Sequence, residues 1–245
     1  MVRIFISSQD ISAGTIVISD NKKLHYLKDV LRLKKGEELT AVDENETAYC
    51  AVAEKITARG IILRIKKERP KCMKQSRLRL TIACAIPKKT RMDDIVDKLT
   101  QLGVDCIIPM FTERVIVKLD GSAAEARFAR WQKVAQSASQ QSQRISQPVV
   151  EKIKKIEEVI ENSNSFDLKL IPALIGERRV LKEILDRGGY KNILVLIGPE
   201  GDFTPEELAL AMRKGFIPVT MGEQVLRVET AAVAAASFIR LYENH

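Results

Sequence analysis

The sequence predicts an α/β protein with a small β-rich unit at its amino end. Short apolar stretches separated by turn-forming residues fill residues 1 to about 68, a spacing that is typical of a barrel. From residue 78 onward, predicted strands alternate with helices, which is typical of a parallel sheet. A chain of 245 residues is long enough for both units. Residues 69–77, rich in Lys and Arg, are the predicted linker.

The amino-terminal unit contains five predicted strands and one short helix. The strands are the apolar stretches at 3–6, 15–18, 38–42, 47–52 and 60–65. The helix is predicted over 22–31, with an inner face formed by His25, Leu27, Val30 and Leu31. We interpret His25 as a packing residue rather than an acid–base group. The unit has no constellation of acid, base and nucleophile, so we interpret it as a binding module.

The second unit is predicted from alternating apolar patterns. Its strands are predicted at 78–86, 105–110, 166–171, 192–197 and 216–221. Its helices are predicted at 88–102, 123–142, 178–186 and 229–239, with one more that opens at Thr204. The unbroken apolar run within the strand at 192–197 starts after Asn192 and is expected where a parallel sheet is covered on both faces.

Two glycine loops follow strands near the carboxyl end of the chain. The first, Gly198-Pro-Glu-Gly201, precedes a helix that starts with Thr204, a proline and Glu207, the pattern of a capping box. The second begins at Gly222. Loops at the carboxyl ends of neighbouring strands form the ligand site of an open α/β sheet. Their backbone groups are suited to clamp a flat, adenine-like ring.

The charge distribution points to a polyanionic partner. The net charge is +8 and the isoelectric point is near 9.3. Residues 66–91 hold ten Lys or Arg against one acid, Glu68. We interpret this run as a phosphate-contacting surface, with a merely solvated linker as the alternative. Aromatic residues are only 5% of the chain, so platforms for stacking bases are not evident.

Several functional classes lack support in the sequence. There is no P-loop motif and no G-x-G-x-x-G after a strand. Two histidines and four cysteines without a C-x-x-C pair (Cys50, Cys72, Cys84, Cys106) argue against a metal site, a disulfide framework or a histidine triad. We therefore expect no metal. No apolar run has the length of a membrane span and no signal peptide is evident, so we expect a cytosolic protein without a membrane partner.

Several ordered motifs carry a resemblance to a known family. They are Ile-Gly-Pro-Glu-Gly-Asp-Phe-Thr-Pro-Glu-Glu at 197–207, Met-Gly-Glu-Gln-Val-Leu-Arg-Val-Glu-Thr-Ala at 221–231, and shorter segments at 25–32, 85–92, 98–104, 130–131 and 141–144. On these residues the chain resembles the SPOUT methyltransferases, and specifically the bacterial 16S ribosomal-RNA uridine-N3 methyltransferase family. The resemblance spans nearly the whole chain.

The resemblance implies an architecture and a reaction. Residues 1–70 are expected to form a PUA-like β-barrel that holds RNA, and residues 71–245 a SPOUT domain with a deep trefoil knot at about 192–242. Family members are homodimers. They use S-adenosylmethionine to methylate N3 of one uridine in 16S ribosomal RNA, preferring an assembled 30S particle.

The family motifs also imply site residues in this chain. The expected cofactor pocket consists of Leu170, Pro172, Ile197, Gly198, Glu200, Gly201, Met221, Gly222, Leu226, Arg227 and Thr230. The expected RNA-contacting cations are Arg3, Arg32, Lys88, Lys89, Arg91 and Arg144.

Catalysis of this reaction requires placement and electrostatics, because the sulfonium already makes the methyl group electrophilic. Arg227 and Arg144 are the candidates for stabilising a developing uridinate, and Glu200 is the candidate acceptor of the N3 proton. Alternative roles are an interface arginine for Arg227, a helix-end cation for Arg144, and a cofactor or backbone contact for Glu200. Glu229 is expected to interact with its helix N-terminus.

One departure from the family pattern keeps two alternatives open. Gln140 stands where the family usually has Glu, so we assign no catalytic carboxylate there. The chain could then be a catalytically inactive RNA-binding assembly factor. It could also be a SPOUT enzyme that acts on another RNA position, such as a ribose hydroxyl.

Overall fold

A computed structural model describes most of the chain in two units. The described residues are 2–45, 47–57, 59–69, 78–87, 91–114, 121–142, 144, 146–174 and 176–243; at 2, 3 and 69 only the backbone is described. One unit comprises Met1–Lys74 with Gln140–Ser146, and the other Gln75–Ser139 with Gln147–His245. The predicted linker lies almost wholly outside the described residues, so the domain boundary near residue 70 stays a prediction.

The amino-terminal unit is a six-stranded sheet that curls around one core. The sheet order is β1-β4-β5-β6-β3-β2, with β1 and β4 parallel and the other pairs antiparallel. Ile4 near one end of this order and Ile16 near the other belong to the same buried cluster, so the sheet folds back on itself as a barrel-like unit requires. The strands are β1 Val2–Phe5, β2 Ile11–Ser12, β3 Thr15–Ile18, β4 Glu38–Val42, β5 Ala48–Ile56 and β6 Ile61–Arg69.

The helix of this unit differs from the prediction. It begins as α1, Asn21–His25, and continues as a π-helical turn over Tyr26–Val30. Leu27 is buried, but the His25 side chain is 71% exposed and its Nδ1 lies 2.6 Å from Asp29 Oδ2. The predicted inner position of His25 is therefore wrong, as is that of Val30, which is exposed. The wider π turn shifts the side chains away from the 3.6-residue period on which the prediction rested.

The described residues of the carboxy-terminal unit form a wholly parallel sheet, as predicted, but it has eight strands where five were predicted. The order is β10-β8-β7-β13-β11-β14-β12, and β9 pairs with β8. The strands are β7 Arg79–Ala85, β8 Cys106–Phe111, β9 Val149–Val150, β10 Lys154–Lys155, β11 Leu168–Pro172, β12 Arg179–Val180, β13 Asn192–Ile197 and β14 Ile217–Thr220.

Six α-helices, two of them short, lie in the described residues of this unit. They are α2 Arg91–Gln101, α3 Gly121–Gln141, α4 Ile156–Glu161, α5 Leu181–Leu185, α6 Pro205–Arg213 and α7 Val228–Glu243. The helix predicted over 178–186 begins only at Leu181, because Arg179–Val180 pairs with β14 as an edge strand. The elements β9, β10 and α4 were not predicted, because they are too short to show a period. Within the described residues, none of these helices has the length and apolarity to cross a membrane.

Alternate residues of each central strand pack into two separate cores. In β13, Ile193, Val195 and Ile197 join one core with α2, α3 and α7. Leu194 and Leu196 join the other core with α4 and α6. Both faces of the sheet are therefore covered, which explains the unbroken apolar run in the sequence.

A buried arginine fixes the carboxyl end of α7. Arg240 donates hydrogen bonds to the carbonyl oxygens of Leu78 and Gly103, both at 2.7 Å, and pairs with Asp105 and Glu243. These contacts tie α7 to the start of β7 and to the loop before β8. Further along its length, α7 packs in the same core as β7 and β13.

Candidate active site

A cleft opens at the carboxyl ends of β11, β13 and β14. Pro172 at the end of β11, Ile197 at the end of β13 and Met221 after β14 form part of its wall. This is the edge at which ligands bind in open α/β sheets. The remaining lining residues are Ala173, Leu174, Arg178, Gly198, Pro199, Glu200, Asp202, Val219, Gly222, Gln224, Val225, Leu226, Val228 and Ala231.

The first glycine loop turns against an aromatic ring. A Cβ atom at Gly198 would lie 2.9 Å from Cε2 of Phe203, whose side chain is buried. Only glycine fits this position without displacing the ring. The ring precedes the predicted capping box, in which the Thr204 hydroxyl accepts from the Glu207 N–H and Glu207 Oε2 accepts from the Thr204 N–H. Glu207 Oε1 also accepts from the Glu113 N–H at 2.8 Å, so the cap additionally holds the loop after β8.

Asp202 joins two loops at one end of the cleft. Its backbone φ is +61°, a conformation that few residues other than glycine adopt. Its Oδ2 accepts from the Leu174 N–H at 3.0 Å, and its Oδ1 accepts from the Phe203 N–H at 2.9 Å. The loop after β11 and the loop after β13 are therefore connected through one carboxylate.

The second glycine loop depends on backbone conformation rather than on space. Gly222 has a φ of +116°, and a Cβ atom there would meet nothing within 4 Å. The hydroxyl of Thr220 lies 3.3 Å from the Gly222 nitrogen and 3.2 Å from its carbonyl oxygen, which closes the loop locally. The glycine is required because residues with a side chain are strained at this φ.

A charged cluster lies where α2 and α7 begin. Arg91 Nη1 is 3.7 Å from Glu229 Oε1 and 3.9 Å from Glu200 Oε1. Among the described residues, the buried Oε2 of Glu229 has no hydrogen-bond partner. Burial and, secondarily, the negative charges of Glu229 and Glu200 raise the pKa of the Cys84 thiol. Two carboxylates thus flank one guanidinium beside the cleft, and both act on the buried Cys84 thiol.

The structure brings together most of the predicted cofactor residues. The predicted residues that line the cleft are Pro172, Ile197, Gly198, Glu200, Met221, Gly222 and Leu226. Leu170 instead belongs to the core beneath the cleft, Gly201 lies beside Arg114, and Arg227 and Thr230 are exposed outside the lining. The ligand-binding roles of all eleven residues stay predictions.

Sequence reasoning missed two charged residues of the cleft. Arg178 follows β11, and Asp202 follows the first glycine loop. Each follows a predicted strand, and the carboxyl ends of parallel strands meet at one edge of the sheet. That position after a strand was the signal available in the sequence. Glu229 was assigned to its helix terminus, and its approach to Arg91 was not expected.

The predicted RNA-contacting residues are distributed over both units. In the amino-terminal unit, Arg32 is exposed with a φ of +53°, and Arg144 is partly buried. In the other unit, Arg91 starts α2. Lys88, Lys89 and the side chain of Arg3 lie outside the described residues. The described part of the chain contains no group of three or more His, Cys, Asp or Glu residues arranged to hold a metal ion.

Comparison with known proteins identifies the family. The family described as "RNA methyltransferase domain" matches residues 74–240, and the family described as "RNA methyltransferase PUA domain" matches residues 18–66. The chain belongs to the RNA methyltransferase family. Its fold, a PUA unit followed by an α/β methyltransferase domain, agrees with the resemblance read from the motifs. The trefoil knot expected at about 192–242 stays a prediction.

Relatives match this methyltransferase along its length. The Ribosomal RNA small subunit methyltransferase E of Rickettsia conorii is 30% identical over 99% of this chain and 96% of the relative. A crystal structure of that enzyme from Neisseria gonorrhoeae, bound to S-adenosyl methionine, is 31% identical with a TM-score of 0.85, covering 98% of this chain and 97% of the other. A Legionella pneumophila protein solved with the bound cofactor SAM is 27% identical with a TM-score of 0.83, covering 98% and 97%.

Proposed function

We propose that the protein transfers a methyl group from S-adenosylmethionine to N3 of one uridine in 16S ribosomal RNA. The observation that carries the proposal is the cleft built by two glycine loops at the carboxyl ends of β13 and β14. It occurs in a chain whose full-length relatives are named Ribosomal RNA small subunit methyltransferase E. Two similar structures were solved with this cofactor.

The residues of the cleft fit the cofactor. Apolar side chains, among them Ile197, Val219 and Leu226, offer walls for the adenosine part. The backbone of Gly198 also forms part of the lining, in a loop whose path is determined by the buried Phe203 ring. The acidic side chains of Glu200 and Asp202 lie in the same cleft and suit a cationic ligand. When bound, the cofactor supplies an electrophilic methyl group, so the chain itself needs no nucleophile.

The remaining requirement is removal of the uridine N3 proton. We propose Glu200 as the acceptor, because its carboxylate lines the cleft and is partly exposed. Arg91 Nη1 lies 3.9 Å from Glu200 Oε1 and helps to orient this carboxylate beside the cleft. We propose Arg227 and Arg144 as the cations that stabilise the developing negative charge at O2 or O4. Arg227 is exposed one residue before α7, near the cleft-lining Leu226 and Val228.

We also propose a small-subunit particle as substrate, a cytosolic location and a homodimeric state. The PUA unit supports RNA binding, and a ribosomal substrate would support a cytosolic location. The homodimer is supported by α7, on which Phe238 is 40% exposed and Leu241 is 65% exposed. Phe238 also stacks on Tyr242 with ring centroids 6.1 Å apart. Exposed apolar side chains grouped on one helix are typical of an interface.

The decisive experiment is methyl transfer from labelled S-adenosylmethionine to small ribosomal subunits that lack the modification. We expect N3-methyluridine at one position, identified by mass spectrometry. Methylation of a ribose or of another base would overturn the proposed position. Cofactor binding without transfer to the subunits would point to another RNA target. Absence of both transfer and cofactor binding would favour the inactive RNA-binding factor that Gln140 suggests.

Replacing Arg227 tests the proposed catalytic cation. Arg227→Ala should lower kcat by about 100-fold or more while cofactor affinity stays within a factor of two, since charge develops only in the transition state. The matched control is Arg213→Ala at the exposed end of α6, which does not line the cleft. Equal rates for the two variants would remove Arg227 from catalysis.

A further inference from the structure

We propose that Arg178 binds the carboxylate of the cofactor's amino-acid end, and that Asp202 faces the neighbouring ammonium. This inference rests on the proposed function, because it assumes that the cleft holds S-adenosylmethionine. It assigns an orientation within the cleft: the amino-acid end points to the loop after β11, and the adenosine lies against the apolar walls.

Arg178 is the basic residue of the cleft. Among the described residues that line it, no other carries a positive charge. Its Nη1 donates to the Ala173 carbonyl oxygen at 3.3 Å, which holds the guanidinium beside the end of β11. A guanidinium has five N–H donors in a planar fork, so this single bond leaves donors for a ligand. The side chain is exposed and therefore accessible from the cleft.

Asp202 lies at the same end of the cleft as Arg178. Arg178 contacts the carbonyl of Ala173, and Asp202 accepts from the N–H of the next residue, Leu174. A cation and an anion therefore flank two consecutive residues of one loop. Each Asp202 oxygen accepts one backbone N–H, and a carboxylate oxygen has capacity for a second donor.

This arrangement is complementary to an α-amino acid zwitterion. The ligand's carboxylate needs a cation with parallel donors, which the guanidinium fork provides. Its ammonium needs an anion nearby, which Asp202 provides. The third charged side chain of the lining, Glu200, does not join this pair, because its Oε1 lies 3.9 Å from Arg91 Nη1. The rest of the lining is largely apolar and offers no second cation for the carboxylate.

The test compares ligands that differ only at the amino-acid end. Isothermal titration calorimetry would use S-adenosylhomocysteine, its decarboxylated analogue, and 5′-methylthioadenosine, which lacks the amino-acid part. For Arg178→Gln we expect a loss of about tenfold or more in S-adenosylhomocysteine affinity, because a charge-assisted hydrogen bond is lost. Affinity for the decarboxylated analogue and for 5′-methylthioadenosine should stay within a factor of two.

Two further variants sharpen the result. Arg179→Gln is the matched control, because Arg179 is the exposed neighbour on β12 and does not line the cleft. It should leave all three affinities unchanged. Arg178→Lys should recover part of the lost affinity, since it keeps the charge without the fork.

The outcomes separate this inference from the proposed function. If Arg178→Gln weakens all three ligands equally, or none of them, the carboxylate assignment is overturned while the cofactor site stands. If the unaltered protein binds none of the three ligands, both the proposed cofactor and this inference are overturned.

Discussion

The backbone of Gly198 lies against the ring of Phe203, five residues later in the same loop. A Cβ atom at Gly198 would lie 2.9, 3.1 and 3.2 Å from three ring atoms. Real Cβ contacts are essentially never as short as the first of these. The ring is only 3% exposed. The path of the loop beside the cleft is therefore determined by a buried aromatic side chain.

Gly198→Ala should displace this ring or the loop itself. We expect a loss of about 1–3 kcal/mol in the free energy of unfolding, the usual cost of overpacking, together with weaker cofactor binding. Urea denaturation and calorimetry measure the two effects. The control is Gly121→Ala at the start of α3, where a Cβ atom meets nothing within 4 Å. If the double variant with Phe203→Leu regains stability relative to Gly198→Ala, the loss is assigned to the contact between the two residues. If the two stability losses simply add, the contact is not the cause.

Gly222→Ala tests conformation without a steric clash. At a φ of +116° an added side chain strains the backbone at a cost of about 1–3 kcal/mol, although its Cβ atom meets nothing. We expect lower stability and lower cofactor affinity, because Gly222 lines the cleft. Gly36→Ala is the matched control: Gly36 has a φ of +90°, equally open surroundings and a place in the other unit. Gly36→Ala should lower stability but leave cofactor affinity unchanged. If cofactor affinity falls equally in both variants, the effect of Gly222→Ala is not local to the cleft.

Arg91 is positioned between two carboxylates and is also a candidate phosphate contact. If it binds an RNA phosphate, Arg91→Gln should flatten the dependence of RNA affinity on salt by about one unit of log–log slope. Filter binding over a range of salt concentrations measures this slope. Arg213→Gln, on the exposed end of α6, should leave it unchanged. An unaltered slope for Arg91→Gln would restrict Arg91 to its contacts with Glu200 and Glu229.

The raised pKa of the Cys106 thiol predicts that the folded state loses stability at alkaline pH. Burial, and then Glu151 at 3.7 Å, raise the pKa of its thiol from 9.0 to about 12. The folded state therefore favours the neutral thiol. This contribution to stability is complete below pH 9 and is lost as the pH rises from 9 towards 12. Urea midpoints should fall more steeply over this range for the unaltered protein than for Cys106→Ala; parallel curves would contradict the prediction.

Sequence patterns predicted the elements that follow one rule over several residues. The strand at 192–197 was predicted with the bounds that it has, because the five residues after Asn192 are all apolar and both faces are buried. The capping box at Thr204 was predicted because it depends only on local residue types. His25 was misplaced because the period changes within its helix.

The charged contacts of the site were beyond the sequence patterns. Arg178 and Asp202 meet the same loop only because β11 and β13 are neighbours in the sheet. The approach of Arg91 to Glu229 depends likewise on two helices that start far apart in the chain and meet at one edge. Such contacts follow from strand order, which periodicity does not specify.

The central place of β13 has a consequence for biosynthesis. This strand pairs with β7 on one side and β11 on the other, and both of those strands leave the ribosome before it, β7 by more than a hundred residues. Until residues 192–197 emerge, the edges of β7 and β11 that will pair with β13 remain unpaired, and unpaired apolar edges are prone to aggregation. Folding that awaits such distant pairing is slow. A chain that ends before β13 should therefore require a chaperone or be degraded, rather than persist as a smaller stable domain.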